Sequence, residues 1–102
     1  MLNNYEKDII IRFMQNLDQY ENETMLLIWN DAGQIEATFD TCFEDENDFD
    51  VNDERYEEFV SFAFTKISVK GEPPVYITSD NGFLLSYHNF PDIILVGKKK
   101  IN

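Results

Sequence analysis

The hydrophobic period of the chain changes once, near Thr24, and that change limits the folds open to it. Between Asn3 and about Glu21 the apolar residues Tyr5, Ile9, Phe13, Leu17 and Tyr20 recur at four and then three residues, with Ile10 and Met14 widening the stripe. The spacing predicts one amphipathic helix. Asn3 or Asn4 can cap it, Glu6 and Asp8 suit the positive end of its dipole, and "ENET" supplies polar residues in which it can stop.

Beyond Thr24 the period is that of strands. "MLLIWN" is a short apolar run, "DAG" provides a turn, and "QIEATFDTCF" places Ile35, Ala37, Phe39, Thr41 and Phe43 on one side against Glu36, Thr38 and Asp40. In "EEFVSFAFTKISVK", Val60, Phe62 and Phe64 share one phase while Ile67 and Val69 take the other, so a bulge is expected near Thr65 and Lys66. Tyr56, Phe59, Val60 and Ala63 also fit a helical face. The wealth of Val, Phe, Thr and Ile favours a strand, with at most a turn of helix before it. "GEPP" turns the chain, "VYITSDNGFLLSYH" reads as a hairpin about Asn81-Gly82, and "IILVGKKKI" gives one strand and a short last one across Gly97.

No strand alternates with a helix, which argues against a parallel sheet. The expected fold is α+β: one N-terminal helix packed on an antiparallel, meander-like sheet of five to six strands, with an acidic loop between strands 2 and 3. A chain of 102 residues suits one domain, 1–102, and 43% hydrophobic with 15% aromatic residues are enough to build its core.

Charge is concentrated in one place. The net charge is −12, and Asp40 to Glu58 holds ten acidic residues and one basic one, Arg55. Such a field repels nucleic acid and anionic membranes and attracts cations or basic proteins. No nucleic-acid or membrane partner is therefore expected. The single cysteine, Cys42, and the lack of a signal-peptide-like or membrane-spanning apolar run point to a cytoplasmic protein.

The acidic stretch "FEDENDFDVNDERYEE" admits three readings. As an EF-hand counted from Asp48, it offers Asp48, Asp50 and Asn52, but Asp53 replaces the required Gly and Phe59 the bidentate Glu, so that motif fails. A looser divalent-cation-responsive loop is the first alternative, and a solvated connection the second. The third reading is a surface for a basic protein partner. Asp45, Glu46, Asp48, Asp50, Asp53 and Glu54 would carry its charge; no strand alternation requires Phe49 to be inside, so Phe49 either is the exposed anchor of that surface or folds down as a plug that pins the loop to the sheet.

Catalysis has little support. His88 is the only histidine and Asp92 its nearest local carboxylate, while Cys42 lies among acids that disfavour a thiolate. Gly33, Gly71, Gly82 and Gly97 fall in turns and form no phosphate-binding motif, and no pair among the many carboxylates is singled out. No enzyme activity and no cofactor are expected. In size and charge the chain resembles bacterial toxin-immunity proteins and DNA-mimicking proteins. That resemblance implies a small acidic inhibitor covering the basic active site of a nucleic-acid-processing partner.

Overall fold

In the computed structural model, which describes residues 2–102, the chain forms helix α1 (Asn4–Tyr20) and strands β1 (Thr24–Trp29), β2 (Gly33–Glu46), β3 (Glu58–Gly71), β4 (Gly82–Leu85), β5 (Ile93–Val96) and β6 (Lys99–Lys100). The strands make one sheet in the order β4-β3-β2-β1-β5-β6, with every pairing antiparallel. This is the α+β arrangement that the change of period predicts. The first four strands form a meander, and residues 86–92 then carry the chain to the opposite edge.

Helix α1 starts where a capping box forms. Asn3 Oδ1 accepts the N–H groups of Tyr5 and Glu6, and Glu6 Oε1 accepts the N–H of Asn3 at 3.0 Å. The buried face of the helix is Glu6, Ile10, Phe13 and Leu17. This corrects the predicted stripe: Ile9 is exposed and Tyr5 is 76% exposed. A stripe that includes both 9 and 10 leaves the exact rotation open. The fixed point is Glu6, whose second carboxylate oxygen accepts the N–H of Val60 at 3.0 Å and draws position 6 against β3.

Phe13 sits at the centre of the core. Its ring lies 5.1 Å from Phe62 and 5.6 Å from Phe90, both edge-on, so α1, β3 and the 86–92 crossover meet there. Met25, Leu27, Ile35, Ala37, Phe64, Leu85, Ile94 and Ile101 complete the same buried cluster. Burial of each large apolar side chain stabilises the fold by about 1.5–3 kcal/mol.

Two bulges shape the long strands. Glu36 pairs with Ser68 but Ala37 with Lys66, so Ile67 is the extra residue on β3, next to the expected position. A second bulge, which the sequence reading missed, is Asp40 on β2: Phe39 pairs with Phe64 and Thr41 with Ala63. It reverses the inside-outside phase. Thr41 and Phe43 therefore do not continue the buried face of Ile35 and Ala37, and Phe43 is exposed.

The hairpin expected about Asn81-Gly82 forms by half. The turn is present, with Asn81 at φ 66° and the Thr78 N–H donating to the Gly82 carbonyl at 2.8 Å. Only its second arm, β4, joins the sheet. Pro73 and Pro74 lack N–H donors for a ladder, and Val75 and Ile77 pack against the core instead of pairing.

Candidate functional site

The segment that carries most of the negative charge sits at the end of a projecting arm. β1 accompanies β2 only to Thr38, which pairs with Thr24, and β4 accompanies β3 only from Phe62 to Thr65. Past those points β2 and β3 continue to Glu46 and from Glu58, paired with each other, and Asn47–Glu57 closes the arm. The molecule is correspondingly elongated, 43 × 29 × 25 Å. Phe43 to Glu46 thus belong to strand β2, not to the loop.

The closing segment is held by its own hydrogen bonds. The Asn47 N–H donates to the Glu57 carbonyl at 3.1 Å, while the Asn47 side chain donates to the Arg55 carbonyl at 2.8 Å and accepts the Glu57 N–H at 3.2 Å. Two turns follow in succession, the Asp53 N–H bonding to the Asp50 carbonyl and the Tyr56 N–H to the Asp53 carbonyl. Neither extends into a helix.

The arm is braced against the body close to its closing segment. Asn3 Nδ2 donates to the Glu58 carbonyl at 2.9 Å, one turn from the bond between Glu6 and Val60. On the crossover, the Tyr87 hydroxyl donates to Glu57 Oε2 and His88 Nε2 meets Glu57 Oε1 at 2.7 Å. His88 also packs edge-on against Phe59, with centroids 4.8 Å apart, and its Nδ1 lies 2.9 Å from Ser86 Oγ. Burial and the bond to Glu57 push the Tyr87 hydroxyl up to about 12. His88 is therefore bound to the closing segment of the acidic arm, whereas Asp92, its nearest carboxylate in sequence, accepts the Asn30 N–H.

The six acids expected at a partner surface separate into two groups. Asp45 accepts the Ser61 hydroxyl at 3.1 Å and the Glu46 N–H at 2.8 Å; Glu46 accepts the Tyr56 hydroxyl at 2.6 Å, which pushes that phenol up to about 12. Asp53 receives both guanidinium bonds and the N–H of Arg55, and the guanidinium bonds hold its carboxyl below the ordinary range. These three acids build the arm. Asp48, Asp50 and Glu54 are exposed, and among the described residues their carboxylates make no hydrogen bond or ion pair.

Phe49 is not a buried plug. Its ring is 41% exposed, with the Arg55 guanidinium 4.2 Å from the centroid on one face. Between the arm and the start of α1 lies a cleft of about 540 Å³, lined by Leu2, Tyr5, Arg55, Tyr56 and Glu57 among others. Tyr5 therefore belongs to this surface. The sequence reading gave it to the core, and only the rotation of α1 could have moved it out. Asn47 and Glu57 were missed as well, because their roles depend on the pairing across the arm.

Among the described residues, no three His, Cys, Asp or Glu side chains form a group able to hold a metal ion. No helix among the described residues is long and apolar enough to cross a membrane.

Residues 8–76 match the sequence model of a family described as cognate immunity protein YxxD. No curated protein and no solved structure matches the chain. The matched segment runs from the second turn of α1 through the whole arm to the loop after β3, two thirds of the chain, and on that match the chain belongs to the YxxD family of cognate immunity proteins.

Proposed function

We propose that this immunity protein neutralises its cognate toxin by binding it, without catalysis, and that the acidic arm is the surface that does so. The observation that carries the reading is the braced tip, on which Asp48, Asp50 and Glu54 point their charge outward while Asp45, Glu46 and Asp53 hold the shape. A tip already ordered before binding loses little further conformational entropy on association. Its target is a basic protein surface, such as the phosphate-binding site of a nucleic-acid-processing toxin. Phe49 and Tyr5, both exposed, supply aromatic anchors beside the charge.

The same field disfavours nucleic acid and anionic membranes as direct partners, and the single cysteine suits action in the cytoplasm by the chain 1–102 as one unit. Co-expression tests the reading. Cells producing the cognate toxin should survive with the wild-type chain and die with Asp48→Asn, Asp50→Asn and Glu54→Gln combined, both chains accumulating equally. Full protection by that variant would refute the assignment of the tip.

A further inference from the structure

A second recess lies outside the acidic tip, on the outer face of the sheet at the base of the arm. Ala63 and Leu84 pair across β3 and β4 with their side chains away from the core, because their neighbours Phe62, Phe64, Phe83 and Leu85 point inward and are buried. They form an apolar floor, with Leu84 46% exposed. The Pro74–Asp80 segment rises beside it as a wall, and the enclosed groove measures about 590 Å³, within the usual range of a ligand site.

The groove is fixed in shape. Asn89 Nδ2 donates to the carbonyls of Pro74 and Leu84, both at 3.2 Å, tying wall to floor. Two more bonds join Thr78 and Gly82: the Thr78 N–H donates to the Gly82 carbonyl at 2.8 Å, and the Thr78 hydroxyl accepts the Gly82 N–H at 3.1 Å. These contacts also occupy the outer edge of β4, so the sheet cannot readily extend there by strand addition.

Its chemistry is one-sided. Asp40, thrown out of register by its bulge, and Asp80 both line the groove, and among the described residues no lysine, arginine or histidine does. Tyr76, 82% exposed, stands at the wall with an aromatic face that a cation can cover. An apolar floor, two carboxylates and an exposed phenol suit a side chain with an aliphatic stem and a cationic head.

We infer that this groove receives an arginine or lysine side chain of the toxin, as a second contact separate from the tip. The identity of the partner rests on the function proposed above; the chemistry of the groove does not. Asn47, just past the end of β2, lies seven residues from Asp40, about 23 Å along the extended chain. One basic protein that covers the tip and reaches over the outer face of the arm spans both.

Amide NMR spectra of the full chain, titrated with N-acetyl-arginine amide and separately with N-acetyl-norleucine amide, test the inference without the toxin. The arginine amide should give saturable shifts at Ala63, Tyr76, Asp80 and Leu84. The neutral analogue should bind about tenfold more weakly, and Asp40→Asn with Asp80→Asn should weaken the arginine amide by about as much. No saturable shift at these residues, equal binding of the two probes, or an unaltered double variant would overturn it. The tip variant should leave the titration unchanged. Failure of the groove titration with loss of protection by the tip variant would refute the groove alone, and the reverse pattern would refute the tip alone.

Discussion

The carboxylate of Glu6 joins the start of the helix to the arm: one oxygen accepts the N–H of Asn3 and the other the N–H of Val60, both at 3.0 Å. Val60 lies beyond the reach of β4, which pairs with β3 only from Phe62 onward, so the side chain takes the place of a missing strand. Replacing Glu6 by Ala leaves two backbone donors unsatisfied, one of them buried. The expected loss is about 2–3 kcal/mol in urea-induced unfolding, with a smaller loss for Glu6→Gln, which keeps one acceptor. Equal stability of wild type and Glu6→Ala would show that the bond contributes nothing.

At the opposite end of the long strands, Gly33 faces Gly71 across the pair. Gly33 has φ +156°, and a Cβ built on it would lie 2.2 Å from the carbonyl oxygen of Lys70. The Glu72 N–H closes the corner on the Ala32 carbonyl at 3.0 Å, so the backbone cannot simply retreat. Gly33→Ala should destabilise the protein by about 1–3 kcal/mol, seen as a lower thermal midpoint. An unchanged midpoint would mean that the corner relaxes without cost.

Two phenols record the internal bonding of the arm. Tyr56, bonded to Glu46, and Tyr87, buried and bonded to Glu57, are both pushed up to about 12 from an ordinary 10.0. A folded-state value above the unfolded one means that their contribution to stability is fully present below pH 10 and is lost as the pH rises through 12. An absorbance titration of the native protein should show phenolate formation near pH 12, and Tyr56→Phe should remove part of that phase. Native titration of both phenols near pH 10 would contradict the hydrogen bonds described.

The two groups of acids should separate in experiment. Neutralising Asp48, Asp50 and Glu54 to their amides should weaken toxin binding by an order of magnitude or more, roughly 1.4 kcal/mol per tenfold, without altering the thermal midpoint. Neutralising Asp45, Glu46 and Asp53 should disturb the spectrum of the arm as well, since each anchors a neighbour. Identical behaviour of the two triples would remove the distinction.

How much of this was legible in the sequence depends on whether a local pattern determines the feature. The helix, the strand after Glu58, the bulge beside Lys66 and the last strand across Gly97 all follow from nearest-neighbour periodicity. The bulge at Asp40 does not. It lies within an apparently regular alternation, and only the register against β3 shows that Thr41 and Phe43 have changed face. The acidic segment is obvious from composition, but its division into structural and outward acids is not, because Asp45 meets Ser61 and Glu46 meets Tyr56 only across the paired arm. The brace from His88 to Glu57 crosses thirty-one positions, a contact that no local spacing predicts.

The most direct test of the central claim is the affinity of the chain for its cognate toxin, measured by calorimetry across a series of salt concentrations. The account predicts binding that weakens steeply as salt rises, and a shallower dependence once Asp48, Asp50 and Glu54 are neutralised. Affinity independent of salt, or a slope that the three substitutions leave unchanged, would contradict it.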